Sequence, residues 1–295
     1  MKIKRSNLDY FASFCIYLLL FAFAFIILLP FYNMLILSFS TFADAARPGL
    51  NLIPRNLTVH NYIRIFEEGT VPNAMLISVF NVVMGTFMAL IMTIIASYVL
   101  SRKNLPFRKP LFYICIFTMY FSAGLLPWYL VLLNLGFAGS IWVMTVPSIL
   151  STFNMILMRN YFFTLPDALE ESAKLDGAGD LRIMWQIIVP LSKPILATIS
   201  LFYAVAFWNE WFNAMLFIRE QSLVPLQLLL RRMVLEALID LRIPEAAAAR
   251  ADNIQFHSRS IGMAATMVAT VPILFAYPFL QKYFTKGLVL GAIKA

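Results

Sequence analysis

Charged positions cut this chain into long apolar stretches. Tyr10 to Ala43 is free of charge over 34 residues, Gly69 to Ser101 over 33, and Pro110 to Met158 over 49. A membrane-crossing helix needs about 20 mostly apolar residues, so the first two runs each predict one span. The third, drawn as one helix, would be about 73 Å long at about 1.5 Å per residue. That is more than twice a hydrocarbon core of about 30 Å. It predicts two spans folded back at Asn134-Leu135-Gly136-Phe137-Ala138-Gly139-Ser140, a stretch rich in turn formers. Pro194 to Ile218, interrupted only by Glu210, predicts a fifth span, and Ser260 to Gln281 a sixth. The pattern predicts an all-α polytopic membrane protein with six transmembrane helices.

Composition agrees. Hydrophobic residues make up 61% and charged residues 13% of the 295 positions, against about 45–50% and about 25% in soluble domains. A water-soluble fold, a disordered chain and a nucleic-acid-binding domain are excluded. Lys2, Lys4 and Arg5 precede the first run, and Ala43-Asp44-Ala45 resembles a signal-peptidase site. The run is far longer than a signal-peptide core of about 7–15 residues, so it reads as a retained helix. With six spans both termini share one side. Placing them in the cytoplasm puts fourteen Lys and Arg on inner segments and nine on outer ones, as the positive-inside rule asks. Ser101 to Pro110 is the clearest segment, with four bases and no acid. The net charge of +8 thus follows from orientation and from anionic headgroups. Cys15 and Cys115 lie in apolar runs, and His60 and His257 are the only histidines, so neither a disulfide framework nor a zinc site is indicated.

The segments between spans carry the remaining information. Two outer loops, about residues 44–70 and 219–259, read as solvated loops or as docking surfaces. In the second, Arg231 to Leu241 and the alanines of Pro244 to Arg250 favour short surface helices. The inner loop from Arg159 to Lys193 reads as a helix–turn–helix on the cytoplasmic face. Thr164 is positioned to cap a helix starting near Pro166, with Asp167 completing the pattern. Asp176-Gly177-Ala178-Gly179 ends it, Gly177 supplying a positive φ. A second helix from about Asp180 carries Ile183, Trp185, Ile187 and Ile188 toward the membrane, and Pro190 and Pro194 set a bend before the fifth span. The small residues of the first helix suit close approach by another protein, and an interfacial helix resting on lipid is the competing reading.

Within this loop, Glu171-Ser172-Ala173, three residues, Gly177, nine residues, then Ile187-Ile188-Val189-Pro190 resembles the EAA motif of ABC importer permeases. Ser172 stands where that family has Ala, and Val189 where it has Leu. Phe207-Trp208-Asn209-Glu210-Trp211-Phe212-Asn213-Ala214 and the tail from Pro278 to Lys294 resemble segments of the carbohydrate-uptake type. That type includes the shorter maltose-transporter permease and the oligosaccharide and aldouronate branch. The resemblance implies a type I permease fold: residues 1–71 as first helix and outer loop, 72–282 as permease core with the EAA loop at 159–193, and 283–295 as a cytoplasmic tail. It implies two separate ATPase subunits, a homologous second permease, an external solute-binding protein and a carbohydrate substrate, in a bacterial cell membrane. ATP and magnesium would sit on the ATPase, with no cofactor in this chain. Glu171, Ser172, Ala173, Asp176, Gly177, Ile187 and Pro190 would form the coupling site, with Gly177→Asp expected to crowd its turn, and the tail would reach the ATPase pair.

Glu210 is the one Asp, Glu, Lys or Arg inside a span, where such groups are costly and face protein or water. It reads as a cavity-lining acid or as a residue at the outer membrane interface. Trp208 and Trp211 read as stacking platforms for sugar rings or as part of an aromatic belt. With Asn209 and Asn213 these residues form a candidate substrate pathway. No phosphate loop of the form GxxxxGK[ST] and no nucleophile–base pattern occurs, so no catalytic role is expected. The competing readings are an ABC permease for a non-sugar solute, an ion-coupled secondary carrier, for which one acid is thin provision, and a membrane scaffold.

Overall fold

The computed structural model describes residues 7–45, 49–242 and 259–292, with side chains described for 10–41, 44–45, 49–235 and 259–275. The expected surface helix at 244–250, the N-terminal bases and the contacts of the tail lie outside those residues. Among the described residues the regular elements are all helices, with one isolated antiparallel bridge between Ser40 and Leu57. Its contacts sort into two units, residues 1–69 with 230–270, and residues 70–229 with 271–295.

In the first unit, α1 (Asn7–Ser38) is apolar on every face and leaves most of its large side chains exposed, as a helix bathed in lipid does. Its end is tied to the loop that follows. Asn61 Nδ2 donates to Ser38 O and Ser40 O, both at 2.9 Å. Asn51 N donates to Asn33 Oδ1 at 2.8 Å. The short helices α2 (Phe42–Ala45) and α3 (His60–Glu67) complete this region.

The second unit is organised around α4 (Thr70–Ser101), which packs along α7 (Thr152–Phe162) and α11 (Lys193–Trp208). Asn81, Gly85, Ala89, Thr93 and Ser97 recur every four residues along α4, and all are buried. Small residues at this spacing let membrane helices approach closely. At Gly85 the approach is so tight that an added Cβ would lie 2.8 Å from the Phe207 ring. The polar members are satisfied across the seam. Asn81 donates to Phe207 O (3.1 Å) and accepts from Thr145 (2.8 Å). Tyr203 Oη shares a 2.7 Å hydrogen bond with Thr93 and accepts from Ser151 N (2.9 Å). Ser97 donates to Met155 O.

Among the described residues three helices, Tyr10–Ser38, Thr70–Ser101 and Lys193–Phe217, are long and apolar enough to cross a membrane, and counting each of two bent pairs as one span gives up to five. The bent pairs correct the expectation of simple spans between residues 110 and 158. α5 (Arg108–Tyr120) and α6 (Leu125–Asn134) meet at 114°. The break is at Phe121-Ser122-Ala123-Gly124, where Gly124 takes φ +89° and the chain leaves the helix. The second pair, Ile141–Ser148 and Thr152–Phe162, bends by 45°, with Pro147 before the break and the Ser151 hydroxyl capping α7. The reversal expected at 134–140 is present, with Gly136 and Gly139 at positive φ. The fifth expected span is one helix, α11, continued by α12 (Phe212–Phe217) after a short break. The sixth falls on the helix Arg259–Ala292, whose apolar described part is Arg259–Phe275.

Candidate coupling surface and intramembrane groove

The inner loop folds as the helix–turn–helix its sequence predicts. α8 (Asp167–Leu175) is followed by α9 (Asp180–Ile183), a π-helical turn over Met184–Ile188, and α10 (Val189–Leu191). The expected Thr164 cap is corrected. The N-cap position of α8 is Pro166, which offers no side-chain cap, while the Thr164 hydroxyl donates to Tyr161 O at 2.7 Å. Asp167 and Glu170 instead place negative charge in the first turn, complementing the helix dipole.

The C-terminus of α8 closes through two backbone hydrogen bonds. Gly177 N donates to Lys174 O (3.0 Å) and Ala178 N to Ala173 O (2.9 Å), a Schellman motif whose C′ residue is left-handed. Gly177 has φ +78°, and nothing lies within 4 Å of where its Cβ would stand. The glycine is therefore required by backbone conformation rather than by space. This corrects the expected reason for a Gly177→Asp defect.

The motif residues divide between two faces. Ala173 is buried, in one cluster with Tyr98, Phe162, Ile183, Met184 and Ile188, and Ile187 packs against that cluster half-buried. Glu171, Ser172, Asp176, Gly177 and Pro190 are exposed. The outer face also carries Leu175 at 90% and Leu181 at 73% exposure, apolar side chains presented beside the acids. Trp185 departs from the expectation. It is exposed and lines a groove of about 880 Å³ between this loop and the inner end of α4. The π turn brings Ile183 and Ile188, five residues apart, onto one buried side, and Trp185, only two residues after Ile183, falls on the opposite side.

The bases of the loop at 101–110 meet this helix. Arg102 forms an ion pair with Glu170, and Lys174 reaches the same carboxylate at 2.9 Å. Lys103 Nζ lies 2.6 Å from Asp167 Oδ2. Hydrogen bonding to Lys103, followed by its positive charge, holds the Asp167 carboxyl below its ordinary pKa. The Arg102 guanidinium stacks 4.2 Å over Tyr98. Sequence reasoning missed this clamp, although four bases without an acid opposite Asp167 and Glu170 are a readable signal.

Within the membrane the structure separates the five candidate pathway residues. Trp208 is 9% exposed, with its indole N–H enclosed and without a hydrogen-bond partner among the described residues, so it offers no face for stacking. Asn209 donates to Val205 O and closes the end of α11. Asn213 is buried and accepts from Trp128 Nε1 at 3.3 Å. Trp211 is half-buried and edge-on to Phe212. Glu210 alone lines an intramembrane groove of about 450 Å³, its Oε1 accepting from Asn213 N at 2.8 Å. The other polar lining comes from Ser148, Ser151 and Asn154, which the sequence analysis did not single out, because isolated Ser and Asn in an apolar run carry no motif.

No protein-family model matches the chain. It is 39% identical over 285 residues to the polygalacturonan/rhamnogalacturonan transport system permease protein YtcP of Bacillus subtilis, covering 95% of this chain and 96% of that protein. The protein LplC of the same organism is 37% identical over 272 residues, covering 91% and 90%. Among solved structures, a bacterial ABC transporter involved in import of the acidic polysaccharide alginate contains a chain matching with a TM-score of 0.84 and 31% identity, over 96% of this chain and all of that one.

Proposed function

The chain belongs to the permeases of ABC importers of the carbohydrate-uptake type, and from that premise we propose that it carries an oligosaccharide across a bacterial cell membrane, with both termini cytoplasmic. It is a multi-pass transport subunit of a sugar importer, and ATP is hydrolysed by a separate subunit. In this reading a homologous second permease stands beside it, an external binding protein delivers the solute, and two ATPase subunits hold ATP and magnesium. Membership in this family removes the ground for an ion-coupled carrier or a scaffold. The names of the relatives make fragments of acidic polysaccharides the first substrates to try.

One observation supports the coupling role above the others: α8 presents Glu171, Ser172 and Leu175 outward while Ala173 anchors it to the core. A helix so held takes a push on its outer face and passes it to the spans. Closure of the ATPase pair on ATP displaces α8, and the spans change from inward- to outward-facing as rigid bodies. Such a switch requires ATP to favour one state over the other.

The test is recovery of the tagged chain from its native membrane in mild detergent, with the co-purifying proteins identified and ATP hydrolysis measured. A second permease, and an ATPase stimulated by sugar-loaded binding protein, are expected. Recovery of the chain alone, with no ATPase, contradicts the reading. Glu171→Lys is expected to release the ATPase from an otherwise intact membrane pair.

A further inference from the structure

The groove beside Glu210 combines features that do not suit a lipid-facing surface. Asn154 is 5% exposed, lines the groove, and makes no side-chain hydrogen bond among the described residues. Ser151 accepts from Asn154 N at 3.4 Å, which leaves its hydroxyl proton uncommitted. The Tyr203 hydroxyl is engaged by Thr93 and Ser151 N, so Tyr203 contributes only its ring. Glu210 is fixed in place by the Asn213 amide. In hydrocarbon each unsatisfied polar group costs several kcal/mol, so carboxylate, carboxamide and hydroxyls here require water or a polar ligand. An aromatic and apolar wall bearing a few convergent polar groups, within about 300–1,000 Å³, is the usual make-up of a small-ligand site.

The charge of the lining narrows the ligand. Glu210 is present, and no Lys, Arg or His stands among the described residues of the lining. We infer that this groove is a sugar subsite on the translocation pathway that holds the uncharged, hydroxyl-bearing face of the oligosaccharide and repels its carboxylates. The Asn154 amide donates to and accepts from hydroxyls, Ser151 donates, and Glu210 accepts from a hydroxyl proton. Any uronate carboxylate of the substrate is then held elsewhere in the importer. This inference rests on the proposed sugar import and adds to it a contact from this subunit, with a sign.

Two measurements test it on the importer assembled with its partners. In a chain with Cys15→Ser and Cys115→Ser, Asn154→Cys is expected to react with a water-soluble maleimide at least tenfold faster than the lipid-side control Phe21→Cys. Equal inertness of the two overturns the inference, since the groove is then sealed by lipid or by the second permease. Ser151→Cys serves in the same way if Asn154→Cys fails to assemble. In proteoliposomes, uptake of trigalacturonate is compared with that of its methyl-esterified, uncharged form. The binding protein is common to wild type and variant, so any change in the uptake ratio belongs to this chain. Glu210→Gln is expected to shift the ratio toward the free acid by roughly tenfold, the effect of removing one like-charge repulsion. An unchanged ratio overturns the inference. If wild type imports neither probe, the proposed substrate class fails, and thiol labelling still judges the groove.

Discussion

Along the seam between α4 and α11, polar groups are buried and paired: Asn81 with Thr145 and the Phe207 carbonyl, Thr93 with Tyr203. Along the coupling loop they are ionised, from the exposed pair of Lys103 with Asp167 to the part-buried cluster of Arg102 and Lys174 on Glu170. Buried hydrogen bonds leave a large desolvation cost when one partner is removed, whereas surface ion pairs contribute little and are screened by salt. The seam is therefore fixed, and the loop is held by contacts that tolerate adjustment. The proposed coupling role, with spans that move as units and a loop docked on another protein, suits that division.

The strongest way to break the comparison is at Gly85. Gly85→Val pushes side-chain carbons into the Phe207 ring, whose atoms already stand 2.8 Å from a Cβ position. A loss of about 3 kcal/mol is expected, at the upper end for overpacking, read as a lowered Tm of the detergent-solubilised complex. An unchanged Tm would show the seam to be looser than described. Asn81→Leu comes next, because Thr145 and the Phe207 carbonyl both lose their partner. About 1–3 kcal/mol is expected for leaving buried groups unpaired, measured in the same melt.

Gly177 sharpens the comparison from the other side. Gly177→Ala is expected to cost about 1–2 kcal/mol of local stability for a left-handed non-glycine residue, and Gly177→Asn less. The readout is the ratio of sugar-stimulated to basal ATP hydrolysis, which falls for Ala and recovers for Asn. If crowding rather than conformation governed the site, Asn would be the worse of the two.

Arg102→Ala is expected to cost about 1 kcal/mol, because Lys174 remains on Glu170 while the stacking on Tyr98 is lost, read in the same melt. The Lys103–Asp167 pair is the smallest of the set and depends on pH. The folded-state pKa of Asp167 is depressed, so its contribution is complete above the ordinary carboxylate range and is lost as pH falls through the lower folded value. The Tm difference between wild type and Lys103→Ala should be present at about pH 7 and shrink progressively as pH falls below about 3.9, the ordinary Asp value.

Span positions and the coupling loop were legible in the sequence because they depend on local patterns: charge-free runs of a set length, a glycine ending a helix, a spaced motif. The 114° break at Phe121–Gly124 was not, because a Ser-Ala-Gly stretch is compatible with a membrane helix and only tertiary packing selects the bend. The four-residue rhythm from Asn81 to Ser97 was available to sequence reasoning and went unused. The groove was the least readable part. Ser148, Ser151 and Asn154 come from the fourth span and Glu210 from the fifth, and nothing in the one segment points to the other. The Trp208-to-Asn213 segment drew notice because it is rich in polar and aromatic residues, yet most of those side chains close the structure around themselves.

The π turn at Met184–Ile188 bears on how this protein can vary over time. Such a turn carries one residue more than an α turn closing the same loop of backbone. A relative lacking one residue there would straighten into an ordinary helix and keep its flanking apolar faces in step. The same deletion inside α11 would rotate everything beyond it by about 100° and pull the seam out of register. The proposed coupling loop thus has room for changes in chain length that the spans do not.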